Sequence, residues 1–337
     1  MPGCPRRADL CTQKGARVTL VVDGLNGSKI DTAYLAEVAE SGPTPLVLHV
    51  TVNNLRRIIP DPSLEDALVD LAAWRRFIRS NDTRVSVIRQ SDDWDDVGND
   101  GAIGLILGYQ NSNFVGESLD LLEVLHDLDV RVMQLTHNGV NQFGSGCASD
   151  RDEGLTDLGR EFVETCNRIG MALDFAHTGD RTTVDAARAS SRPVLITHAN
   201  AKAVTSHRRN KSDEALRAVA ESGGVVGLCF FPPLLTNDGT PTISNVLDHF
   251  EHVYRVVGED SVAFGSDFIT NQDHGDRYSA LRQQKSMYDM DNLVYPLGGI
   301  QEMPRLAEAI ASRGYSERTV EKFMGDNFRR AFQEVMG

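Results

Sequence analysis

Three short apolar runs in the second half of the chain each end on a side chain able to bind a metal or move a proton. Leu173-Asp174-Phe175-Ala176 leads to His177, Val194-Leu195-Ile196-Thr197 to His198, and Phe264-Gly265-Ser266 to Asp267. A buried strand followed by such a side chain, repeated along the sequence, is how a parallel barrel gathers one site from distant segments. His177 and His198 lie 21 residues apart, too far for a ligand pair on one helix. That spacing suits successive strands whose ends converge on a barrel axis.

The rest of the chain extends this pattern. Short β-branched runs bounded by Gly, Asp or Asn predict strands over 18–22, 46–51, 103–107, 131–136, 171–176, 194–197, 224–230 and 262–265. Between most of them lie helix-length segments with apolar residues three and four apart, such as Leu64-Leu68-Leu71-Ala72-Phe77 and Leu119-Leu122-Val124-Leu125. Strand and helix in alternation predict a parallel sheet, and near-continuous apolar strands predict that both sheet faces are covered. A barrel and an open doubly wound sheet both satisfy this. The barrel is favoured because polar residues recur at strand ends: Asp23, Gln110, His137, His177, His198 and Asp267. An open sheet would concentrate its site at one switch point. No GxGxxG follows the first strand and no GxxxxGK[ST] occurs, so the usual nucleotide signatures are missing.

With 48 acidic against 34 basic side chains the net charge is −14, which argues against nucleic acid or an anionic membrane surface as partner. No run approaches the roughly 20 apolar residues of a membrane span, so a cytoplasmic protein is expected. Cys4, Cys11, Cys147, Cys166 and Cys229 are far apart and show no CxxC spacing, so reduced thiols are expected rather than disulfides or a thiolate zinc site. Residues 1–17 carry Arg6, Arg7 and Lys14 but no apolar core of a signal peptide, and read as a flexible arm. Residues 18–337 read as one barrel domain. Two irregular loops, 138–156 and the stretch containing Pro232-Pro233 and Asn237-Asp238-Gly239, would overhang the same barrel face, with Cys147 and Cys229 near its mouth.

Two neutral imidazoles, His177 and His198, with the Asp267 carboxylate make a zinc site with an open position for water. Each histidine taken singly reads first as a hydrogen-bonded core or rim residue, and it is their common placement at strand ends that brings the metal reading level with it. The basic turn His207-Arg208-Arg209-Asn210-Lys211-Ser212-Asp213 has two compatible readings. It can bind a substrate carboxylate through Arg, or open a helix capped by Ser212 or Asp213.

The ordered motifs Asp23-Gly24-x-Asn26, Gln134-Leu135-Thr136-His137-Asn138, Gly154-Leu155-Thr156, Asn167-Arg168-x-Gly170, Asp174-x-x-His177, Thr197-His198-Ala199-Asn200, Arg209-Asn210-x-x-Asp213, Gly265-Ser266-Asp267-Phe268 and Gly325-Asp326-Asn327-Phe328 resemble the renal (membrane) dipeptidase family. The resemblance runs from about residue 18 to the end. It implies a (β/α)8 TIM barrel of the amidohydrolase type, two zinc ions bridged by a glutamate, and a water that attacks the peptide carbonyl. It also implies that His177 and His198 hold one zinc, that Asp267 is ligand or general base, that His137 stabilises the oxyanion, and that Arg209 binds the substrate carboxylate.

Where the family has His-x-Asp after the first strand, this chain has Leu25-Asn26-Gly27, and the bridging glutamate position falls on Gln110. Leu and Gly offer no metal-binding side chain, and an amide is a poor zinc ligand. The expectation is therefore at most one zinc, with Gln110, Asn26 and Asn210 joining Arg209 in binding a small carboxylate-bearing amide, dipeptide or lactam. Two other readings stay open: a metal-independent or single-metal lyase, decarboxylase or isomerase on a small carboxylic acid, and a non-catalytic binding barrel. Family members are often homodimers, and the helix-rich stretch 302–336 offers a surface for that.

Overall fold

The computed structural model describes residues 20–55, 61–98, 101–269 and 293–337; the expected arm at 1–17 lies outside them. Among the described residues the strands are β1 (Val21–Asn26), β2 (Leu46–Thr51), β3 (Val85–Val87), β4 (Ile103–Tyr109), β5 (Val130–Gln134), β6 (Ala172–Asp174), β7 (Leu195–Ile196), β8 (Val225–Leu228) and β9 (Val262–Phe264). Their pairings are all parallel, in the order β1-β2-β4-β5-β6-β7-β8-β9. This is a near-closed eight-strand α/β barrel of the amidohydrolase type, as expected. Two details differ from the sequence reading. The first strand begins at Val21 and runs on to Asn26, and β3 is an extra strand paired to the start of β4. Its three residues, two of them valine, are too short a run for a periodicity signal.

The helices are α1 (Thr32–Ser41), α2 (Leu64–Ser80), α3 (Asp120–Asp127), α4 (Asp157–Ile169), α5 (Asp180–Ala189), α6 (Asp213–Glu221), α7 (Pro232–Leu235), α8 (Ile243–Val257), α9 (Met303–Ser312), α10 (Glu317–Glu321) and α11 (Asn327–Met336). Their starts are written in side-chain chemistry. Ser63 and Asp66 form a capping box on α2, Thr156 caps α4 through Gly159 N, and Ser212 caps α6 through Ala215 N. The apolar stripe Ala67, Leu71 and Trp74 then turns α2 toward the sheet.

Inside the barrel Val22, Val47, Ile106, Val132, Ala172, Leu195, Val225 and Ala263 pack together, with Phe328, Phe332 and Val335 of α11 against them at the strands' N-terminal end. A five-residue π-helical turn, Lys322–Asp326, leads into α11, where Asn327 donates to the Glu259 and Val262 carbonyls. The apolar face of α11 is thus spent closing the barrel. At Gly24 and Gly227 a side-chain carbon would collide with the Phe328 ring or the Thr197 carbonyl, so the plug requires glycine at both.

A carboxylate closes the seam. Asp23 accepts hydrogen bonds from Leu25 N, Asn26 Nδ2, Ser266 N and Ser266 Oγ, and Asp267 N donates to Leu25 O. The second half of β1 and the segment just after β9 are joined in this way without a regular ladder. Truncating Phe328→Ala removes the plug's centre and is expected to cost about 3–5 kcal/mol, read as a lowered denaturation midpoint with an unchanged slope.

Candidate active site

Two hydrogen-bond relays at the strand ends fix the histidine pair. The Thr197 hydroxyl donates to Asp174 Oδ2 at 2.7 Å, and Asp174 Oδ1 accepts from Ala176 N and Thr197 N. With its hydrogen committed, Thr197 Oγ1 can only accept from His198 Nδ1, 2.8 Å away. His177 Nδ1 lies 2.7 Å from Asn138 Oδ1, an acceptor that also takes the Cys147 thiol at 3.4 Å. Both rings therefore carry their hydrogen on Nδ1, the tautomer that the network assigns.

The two Nε2 atoms are left bare and face each other at 3.1 Å. Lone pairs this close repel unless a positive centre lies between them. Burial, then the nearby Arg209 guanidinium, pushes both imidazoles well below the usual histidine pKa, which disfavours a shared proton. Two neutral imidazole nitrogens held by outer-shell partners are a donor set that suits zinc.

The other expected site residues fall into three groups. His137 stacks on His177 with ring centroids 4.2 Å apart and is kept neutral, its pKa pushed down to about 3 by burial and Arg209. Gln110 lies partly exposed at the end of β4, its main-chain oxygen accepting from Gln134 Nε2. Asp267 does not join the histidines: among the described residues no group of three His, Cys, Asp or Glu side chains could hold a metal. Asp267 has a left-handed backbone (φ 50°), and Cys229 Sγ lies 3.8 Å from its Oδ2. Burial raises its pKa to about 7 against the pull of Arg209, with Asp23 adding to the rise.

Asn26 and Asn210 both make hydrogen bonds within the chain. Asn26 donates to Asp23 and to the Tyr34 hydroxyl of α1 and accepts from Ser28 N; Asn210 donates to the Thr205 and Leu234 carbonyls. Both are buried, because the chain turns sharply beside each and leaves main-chain groups needing partners. Arg209 is buried too, with Nη1 on the Ala176 carbonyl and Nη2 on the His198 carbonyl at 3.0 Å. The basic turn does precede a helix capped by Ser212, as its second reading held.

Sequence reasoning assigned no role to Asp174, Thr197 or Asn138, although each stands inside a quoted motif beside a histidine. It missed His49 altogether. That residue lies buried on β2, Nδ1 2.5 Å from the Gly24 carbonyl and Nε2 where a side chain on Gly108 would sit. Nothing in an ordinary strand sequence marks it.

The profile of the membrane dipeptidase family, peptidase family M19, matches residues 23–282. The chain belongs to this family. Dipeptidase tcpJ of Claviceps purpurea is 28% identical over 286 residues, which cover 84% of this chain and 63% of that protein. An uncharacterized dipeptidase of Schizosaccharomyces pombe is 32% identical over 216 residues, 62% of this chain and 52% of that one. The match thus spans little more than half the length of these curated relatives. A solved amidohydrolase from Pseudomonas aeruginosa superposes with a TM-score of 0.86 at 31% identity, covering 95% of this chain and 97% of that one. A Rhodobacter sphaeroides metallopeptidase, solved with a phosphinate mimic of the dipeptide L-Ala-D-Ala, shares the fold at a TM-score of 0.74 and 23% identity, over 95% and 100% of the two chains. Among the described residues no helix is long and apolar enough to cross a membrane.

Replacing the relay acceptors, Thr197→Val or Asn138→Leu, frees a ring to move its hydrogen to Nε2. Each is expected to weaken metal binding by roughly 10- to 100-fold, measured by competition with a chromophoric chelator.

Proposed function

We propose that this chain is a dipeptidase-like hydrolase of a small carboxylate-bearing amide, dipeptide or lactam, working with at most one zinc held by His177 and His198. The observation that carries this reading is the pair of bare Nε2 atoms 3.1 Å apart, each ring locked by its own relay. A zinc there would polarise the scissile carbonyl and acidify a bound water. Leu25, Gly27 and Gln110 provide no anionic ligand for a second ion.

In this reading Asp267 is the general base that takes the proton of the attacking water. Its surroundings suit the task, since a carboxyl group with a pKa of about 7 is basic enough to accept a proton and still about half ionised at neutral pH. His137 faces the developing oxyanion from beside His177. Arg209 attracts the substrate carboxylate; a guanidinium has five N–H donors, so this is compatible with its grip on two carbonyls. Gln110 hydrogen-bonds the amide at the mouth. The lyase reading fares worse because it needs histidines that titrate near neutral pH, and burial holds all three far lower.

Elemental analysis of the purified protein should find no more than one zinc per chain, and His177→Ala should lose both metal and hydrolysis of a dipeptide panel. Two tightly held ions, or full activity after complete chelation, would sink the proposal. Asp267→Asn should lower kcat by about 10²- to 10⁴-fold. Because the ionised carboxylate is the active form, kcat/KM should fall with the deprotonated fraction as pH drops below about 7 and level off above it.

A further inference from the structure

Lys211 is buried on the turn that also carries Arg209, and the proposed chemistry gives its side chain no role. Its Nζ donates to the Thr178 main-chain oxygen and lies 3.4 Å from Thr183 Oγ1. Its main-chain N donates to Asn200 O at 2.8 Å. Thr178 in turn receives the Thr136 hydroxyl at 3.1 Å. Thr178 directly follows His177, Asn200 stands two residues after His198, and Thr136 directly precedes His137. One side chain and its own backbone therefore join the three loops that carry the histidines.

We infer that Lys211 is a positioning residue which, through Thr178 and Thr136, holds the three histidine loops as one unit and so sets the spacing of the His177 and His198 Nε2 atoms. The physical argument is one of alternatives. A main-chain carbonyl just past a strand end has lost its sheet partner, and inside the protein it must find another donor. An ammonium supplies three donors from one point, enough to fix several segments at once. Opposite charge is near, since Asp180 lies close enough to favour the charged form while burial opposes it, leaving a pKa of about 8. An uncharged side chain of similar length fills the space and keeps the main-chain bond to Asn200 but makes neither Nζ contact.

The inference rests on the proposed metal pair, and the test separates the two. The probe is Co(II), titrated into metal-free full-length chain and followed by its visible absorption, with circular dichroism checking the fold. Lys211→Met is expected to bind Co(II) roughly 10- to 100-fold more weakly and with an altered spectrum, because the ligand spacing relaxes. Thr136→Val, which removes only the hydroxyl link, should shift affinity and spectrum in the same direction by less. A folded Lys211→Met with the wild-type affinity and spectrum overturns the inference. If that variant does not fold, an unchanged Thr136→Val overturns it. Should His177→Ala and His198→Ala take up Co(II) as the wild type does, the metal is not at the pair and both readings fall.

Discussion

Arg209 and Lys211 place two cations among main-chain carbonyls just beyond the ends of β6 and β7. Taking such charges out of water costs several kcal/mol each unless their donors are met. Carbonyls beyond a strand's last ladder bond have the complementary need. The two requirements satisfy each other here, and the histidines ride on the segments so tied. Asn210, between the cations, grips two further carbonyls and anchors the turn to the loops at Thr205 and Leu234.

The same cations shape the electrostatics of the mouth. Burial keeps the His137, His177 and His198 rings neutral; Arg209 adds to this and opposes the rise of the Asp267 pKa. Neutral rings compete for metal rather than for protons. At Asp267 desolvation outweighs the pull of Arg209 and raises the carboxyl pKa to about 7.

Much of this was legible in the chain. The strand-end histidines, the barrel and the family motifs all follow from local patterns: apolar runs of strand length, a helix cap at Ser212, and polar residues at the turn into each loop. The internal hydrogen bonds of Asn26, Asn210 and Arg209 were not legible. A polar residue beside a strand end faces substrate or scaffold according to which main-chain groups around it lack partners, and that depends on loops far away in sequence. His49 and the α11 plug escaped for a similar reason, since each is defined by what lies across the barrel.

The sequence by itself determined which elements form and which donors exist, because strand and helix periods, caps and ligand types are properties of neighbouring residues. It also determined that Leu25 and Gly27 lack ligating side chains and that Gln110 carries no charge, which is the ground for expecting at most one zinc. Only the tertiary structure decided how the remaining donors are aimed. The tautomers of His177 and His198 depend on Asn138 and on the Asp174–Thr197 relay, and Asp267 stands apart because β9 meets β1 through Asp23. Directions and distances of this kind arise when separate strands are brought to one axis, which no local pattern specifies.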